Sequence, residues 1–174
     1  MRSPENKNNH PQKEGKTVLL VPGMCGPELT LCVVKKRLEE INHKPVYLHH
    51  VLPLNTVFGM ERPIERKAEE LAEENNGPIT IFGHSLGGRM AIRVAQKRPE
   101  LFDQIIAAGS PVADIRKKPK DVWVTNLISW NDPIVPIWAS YNKRFDNREF
   151  VGISHVGLIL SKRVFRAVAH SLES

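Results

Sequence analysis

The chain has 174 residues, 41% apolar and 25% charged, with a formal net charge of +6; that suits one domain able to bury about two-thirds of its unfolded surface. No apolar run approaches the ~20 residues that span a membrane, and the polar first sixteen residues do not resemble a secretory leader, so stable membrane insertion is not expected and a cytoplasmic setting is. The basic excess is too mild for a nucleic-acid binder, and part of it sits in the leading tail, where Arg2, Lys7, Lys13 and Lys16 face only Glu5 and Glu14.

Residues 1–16 read as a disordered polar tail, and 17–174 as a single domain. Thr17 to Val21 is a continuous apolar run, as expected of a strand covered on both faces. A Gly- and Pro-rich turn, Pro22 to Pro27, leads to a helix with its buried stripe at Leu31, Val34, Leu38 and Ile41. Cys25 and Cys32 lie on that turn and helix without an obvious bridging geometry or zinc-ligand spacing. They read as free thiols, which favours a reducing compartment.

Pro45 to Val51 reads as the second strand and Glu61 to Glu74 as the second helix, with Ile64, Ala68 and Leu71 on one face. Ile79 to Phe82 is the third strand, and Leu86, Met90, Ala91 and Val94 mark the third helix. Phe102 to Ala108 is the fourth strand, Val122 to Ser129 the fifth and Glu149 to Ile153 the sixth, before a terminal helix carrying Leu158, Val164, Ala167, Val168 and Leu172. This alternation predicts an α/β fold, a three-layer α/β/α sandwich around a mainly parallel sheet of about six strands. The connection from Gly109 to Asp121 is too short for a helical cap. Its basic cluster, Arg116, Lys117, Lys118 and Lys120, reads as a solvated loop that would meet an anionic substrate or lipid surface only if it bordered the site.

The change from strand to helical period falls at Gly83-His84-Ser85-Leu86-Gly87. A G-x-S-x-G pattern arises by chance in roughly one chain in twenty of this length, so the flanking strand and helix give it its meaning. In a nucleophile elbow the serine sits on a strained turn, hydroxyl raised above the sheet, at a helix N-terminus that favours developing negative charge. Ligands of an open parallel sheet gather at the carboxyl ends of the strands. Ser85 follows strand three, Asp132 strand five and His155 strand six, so all three reach that edge in the order Ser, Asp, His. Asp114, after strand four, competes with Asp132 for the acid; Asp121 begins a strand and lies at the wrong end. Among the other histidines, His84 reads as structural or as pocket wall, while His49 and His50 lie near enough to touch substrate. His10, His43 and His170 lack a strand-end position. Leu86 supplies one oxyanion N–H and Met24, in the loop after strand one, the other. Trp130, Ile134 and Trp138 either line the cleft or, for two of the three, pack inside.

These motifs resemble the α/β-hydrolase superfamily, and the size and layout are similar to the small lid-less bacterial lipases. The resemblance rests on Val21-Pro22-Gly23-Met24, the run from Gly83 to Gly88, the run from Asn131 to Pro136 and the run from Ser154 to Leu158. It implies a minimal α/β-hydrolase fold lacking the first two strands of larger members. It also implies carboxylic ester hydrolysis through an acyl-enzyme, without cofactor or metal, on a small-molecule acyl ester. Pro22 departs from the histidine that usually precedes the oxyanion-loop glycine in such lipases, which bears on the shape of the hole. An exposed site predicts turnover of dissolved short or medium esters with no jump at a lipid interface. Thioesters, amides or lactones would use the same residues, and a catalytically silent binding protein is the alternative from another class. A nucleotide-binding loop is excluded by the absence of a Lys-Ser/Thr pair or G-x-G-x-x-G near Gly83. A monomer is the default.

Overall fold

A computed structural model of the chain describes residues 15–23, 28–49 and 61–173. Strands β1 (Thr17–Val21), β2 (Lys44–Tyr47), β3 (Ile79–His84), β4 (Phe102–Ala108), β5 (Trp123–Ser129) and β6 (Asp146–Phe150) form one sheet in the order β2-β1-β3-β4-β5-β6. Every neighbouring pair is parallel, so the sheet is wholly rather than mainly parallel. Helices α1 (Cys32–Glu40), α2 (Glu61–Glu74), α3 (Leu86–Lys97), α4 (Ile137–Ser140), α5 (Gly157–Leu160) and α6 (Lys162–Glu173) accompany it.

The period-2 alternation of the strands divides the core in two. Leu19, Ile81, Ile105 and Val124 face Ile64, Ala68 and Leu71 of α2 and Met90, Ala91 and Val94 of α3. Val18, Leu20, Phe82, Ile106 and Leu127 face Val34 and Leu38 of α1, Leu158 of α5 and Val164, Val168 and Leu172 of α6. Burial of both sheet faces explains why β1 is apolar from Val18 to Val21 and why β3 is buried at every residue. Glu61 holds α2 to α3 through Arg93 and Lys97, while Arg98 gathers Glu65, Glu69 and Glu100.

Several expected boundaries move; β3 runs on through Gly83 and His84, and β5 starts at Trp123. β2 spans Lys44–Tyr47 and stops short of the expected end; Leu48 stays buried with its N–H on the Leu20 carbonyl, and Val51 lies outside the described residues. β6 runs Asp146–Phe150 instead of Glu149 to Ile153, because Gly152 adopts φ +75 and donates its N–H to Asn131 Oδ1, taking the chain out of the ladder. Its polar first residues suit an edge strand. The terminal helix is two helices: Ser161 is extended, and its Oγ accepts from the N–H groups of Arg163 and Val164, which caps α6 afresh. Ile41, expected in the α1 stripe, is the exposed C-cap of that helix. Of the leading tail, residues 1–14 lie outside the described residues; the Lys16 carbonyl already accepts from Lys44 N–H.

Candidate active site

Ser85 joins β3 to α3 with φ 54 and ψ −127, a conformation that costs a non-glycine residue roughly 1–3 kcal/mol. The surroundings enforce it. β3 is buried along its whole length, Ser85 N–H donates to the Ala108 carbonyl at 2.8 Å, and α3 packs immediately behind. A Cβ on Gly83 would stand 2.4 Å from the Gly88 Cα, so strand and helix cross at this distance only without that side chain. The turn leaves the Leu86 amide among the unbonded donors at the start of α3. The loop after β1 comes equally close: a Cβ on Gly23 would lie 2.9 Å from Ser85 Cβ. Met24, expected as the second oxyanion donor, lies outside the described residues.

Asp132 and His155 are both buried at the carboxyl edge, and His155 Nδ1 is 2.6 Å from Asp132 Oδ2. The other carboxylate oxygen accepts from Ile134 and Val135 N–H, each at 2.9 Å. Asp-Pro-Ile-Val thus folds back on its own carboxylate, an Asx arrangement that fixes the acid before it meets the ring. With Nδ1–H donated to the carboxylate, the lone pair of neutral His155 resides on Nε2.

The structure pairs two of the three expected residues directly, Asp132 with His155; Ser85 makes no hydrogen bond to either, and it is its neighbour His84 that touches His155. The His84 ring packs on the His155 ring with centroids 4.6 Å apart and 44° between planes, and His84 Nε2–H donates to the His155 carbonyl at 3.3 Å. Burial first, then the adjacent His155, pushes the His84 pKa down to about 4. His84 is therefore a neutral prop at pH 7, positioning both backbone and ring of His155. A histidine preceding an elbow serine was the signal in sequence; its target was not.

The competing candidates fall elsewhere. Asp114 is exposed and taken by Arg89, with bonds from both guanidinium nitrogens. His43 Nδ1 accepts from Lys16 N–H, on the opposite edge of the sheet. His49 edges against Tyr47 and opens on a cavity of about 720 Å³ between the end of β2 and α2, on the far side of β1 from Ser85; His50 lies outside the described residues. Trp130, Ile134 and Trp138 are all exposed, so the packed alternative fails for each. Lys118 places its ammonium 4.8 Å from the Trp123 ring centre and Gln96 donates to the Lys117 carbonyl, which takes the basic cluster to the amino edge, away from Ser85. Among the described residues no three His, Cys, Asp or Glu side chains gather as metal ligands, and no helix is long and apolar enough to cross a membrane.

The sequence profile of the alpha/beta hydrolase fold matches residues 46–167, more than half of the chain. No curated protein matches significantly. Among solved structures, the lin2722 product of Listeria innocua superposes with a TM-score of 0.74 at 15% identity, over 92% of this chain and 94% of that one. A CIB-like hydrolase from Thermoplasma acidophilum gives 0.70 at 17% identity, over 92% and 88%. A monoacylglycerol lipase from Paleococcus ferrophilus gives 0.68 at 16% identity, over 90% and 93%.

Proposed function

Because the chain belongs to the alpha/beta hydrolase fold family, we propose that it is a serine hydrolase cleaving carboxylic esters through an acyl-enzyme, with Ser85 as nucleophile, His155 as base and Asp132 as the acid that orients it. The observation that carries this reading is the buried Asp132–His155 hydrogen bond of 2.6 Å, at the same sheet edge as the strained Ser85 turn.

In this scheme His155 Nε2 takes the Ser85 Oγ proton as Oγ bonds to the ester carbonyl carbon. The carbonyl electron pair moves onto oxygen, and that oxyanion meets the Leu86 N–H and, as we assign it, the Met24 N–H. When the pair returns, the bond to the alkoxy oxygen breaks and imidazolium delivers the proton to the leaving alcohol. Water repeats the sequence: its proton passes to His155, its oxygen adds to the acyl carbon, and Ser85 Oγ departs and is reprotonated. Asp132 holds the Nδ1–H tautomer and stabilises the imidazolium formed in each half. The scheme uses protein groups alone.

The unit proposed for this chemistry is residues 17–174, without cap or lid. Residues 109–122, between β4 and β5, contain no helix, and α4 has four residues, which favours entry of small acyl esters without a lid-opening step. The proposed setting is cytoplasmic; Cys32 is a free, exposed thiol, and Cys25 lies outside the described residues.

Labelling with a fluorophosphonate probe, followed by turnover of p-nitrophenyl esters beside matched thioesters, amides and lactones, tests the reading. Stoichiometric modification at Ser85 and loss of turnover in Ser85→Ala are expected. A protein that takes no probe is a silent hydrolase fold, and preference for another acyl donor changes the bond cleaved while leaving the residues in their roles.

A further inference from the structure

Around Ser85, Asp132 and His155, the carboxyl edge carries large apolar side chains that no core accounts for. Trp130, directly after β5, is 57% exposed; Val151, directly after β6, is 65% exposed; and Ile134, two residues beyond Asp132, is 66% exposed. The two loops bearing them are tied together. Trp130 N–H donates to the Phe150 carbonyl, Gly152 N–H to Asn131 Oδ1, and Ser129 Oγ–H to the Ile153 carbonyl. Single exposed apolar residues are ordinary, but a set on joined loops beside one site marks an interaction surface.

Charge identifies what it meets. α6 begins just behind these loops, after exposed Leu160, with Lys162 and Arg163 in its first turn and Arg166 one turn on, all exposed. No acid occupies that first turn, although a helix N-terminus favours carboxylates and is destabilised by cations. The Arg163 guanidinium lies 5.7 Å from the centre of the Phe150 ring, so cations and apolar rim converge on the residue that receives the Trp130 N–H. Of the nearby carboxylates, Asp146 is paired with Arg148, while Glu149 accepts from the Trp130 indole and keeps its charge, one acid against the three cations of α6.

We infer that this rim docks on an anionic lipid surface, with Trp130, Ile134 and Val151 at headgroup depth and Lys162, Arg163 and Arg166 against the lipid phosphates and carboxylates. A second copy of the chain fits worse, because a two-fold contact would bring the same cations together. Docking itself is independent of the chemistry proposed above; the substrate class it implies, esters carried in the lipid, rests on that reading. Adsorption would then raise turnover at anionic surfaces without any lid having to open.

Cosedimentation of full-length Ser85→Ala with vesicles of phosphatidylcholine, alone or mixed with phosphatidylserine, reads binding without catalysis. Binding is expected only to the mixed vesicles, with a blue shift of tryptophan emission that Trp130→Phe diminishes and Trp123→Phe, at the opposite edge, leaves in place. Salt should weaken it. Charge reversal at Lys162, Arg163 and Arg166 to Glu should weaken it about 100-fold or more, at roughly fivefold per cation removed. The same reversal should leave Tm unchanged or raised, since acids favour the start of α6, and made in the active enzyme it should spare turnover of dissolved esters. No binding to mixed vesicles at low salt, binding that survives the reversal, or dimerisation abolished by Trp130→Ser would overturn the inference. A wild-type protein that binds vesicles yet hydrolyses no lipid ester sinks the ester reading alone.

Discussion

The two ends of the sheet are built to different rules. At the amino end, side chains stabilise one another in ordinary ways: Lys118 over Trp123, Lys16 beside Asp103 at 3.2 Å, and the Gln104 amide donating to the Ser171 carbonyl and hydroxyl in the last turn of α6. The carboxyl end keeps a serine at φ 54, a buried carboxylate and two histidine rings packed at a tilt. Buried polar groups are costly unless fully partnered. Here the carboxylate is fully partnered, by Ile134 and Val135 N–H on one oxygen and His155 on the other, while His84 is tied to the His155 backbone. That leaves Nε2 of His155 as the acceptor for whatever enters, so the stability contributed at one end is consumed at the other.

The sharpest way to break this contrast is to delete the nucleophile. Ser85→Ala should lower ester turnover by on the order of 10⁴-fold or more, and initial rates with p-nitrophenyl esters measure it; retained turnover would move the chemistry away from the elbow. Asp132→Asn comes next. The amide presents an N–H to His155 or accepts from it in the wrong tautomeric balance, and kcat should fall by roughly 10⁴-fold with KM little changed. Asp114→Asn, by contrast, should leave kcat within a small factor, since Asp114 is committed to Arg89.

How far the sequence reaches depends on which end and which interaction is in question. α2 was legible to the residue because Ile64, Ala68 and Leu71 recur at helical spacing. Asp132 and His155 were legible because a strand end fixes a position on one edge, whatever the strand's precise limits. β6 was misread because edge strands carry polar residues, so Val151 and Ile153 looked more strand-like than Asp146 to Arg148, which actually pair with Thr125 to Leu127. The α5–α6 break was hidden because serine fits a helix interior as well as a cap. Neither the packing of His84 on His155 nor the exposure of Trp130, Ile134 and Trp138 has a local signature; both depend on how distant loops meet.

His84 gives the next largest effect, in stability and not only in rate. Its pKa is about 4 in the fold, chiefly through burial, against 6.5 for a free imidazole. Between those values the unfolded chain binds a proton that the folded one refuses. Stability present above pH 6.5 should therefore fall as pH drops towards 4, by about 3 kcal/mol from this group. Urea unfolding across that window should show a steeper decline for wild type than for His84→Gln. His43, whose pKa burial also lowers, contributes equally to both proteins and cancels in the comparison. In turnover, His84→Gln should lower kcat about 10-fold through misplacement of His155 while KM barely moves; a purely structural histidine would move Tm without that split.

The smallest expected difference compares the two ends most directly, because each holds a non-glycine residue at positive φ. Asp121, in the turn before β5, has φ 57, and Ser85 has φ 54 with ψ −127. Aspartate enters the left-handed region at modest cost. Asp121→Gly should gain little from relief and lose about 0.4–1 kcal/mol to the larger entropy of the unfolded chain, for a net change near zero or slightly destabilising. Ser85 carries the same entropic debit, but its ψ lies outside the left-handed helical basin, where relief is worth roughly 1–3 kcal/mol. Ser85→Gly should thus be more stable than wild type by about 1 kcal/mol, read from urea unfolding at neutral pH, while losing turnover. Equal responses of the two variants would mean that the elbow stores no more strain than an ordinary turn, and that the carboxyl end gives up no stability for its geometry.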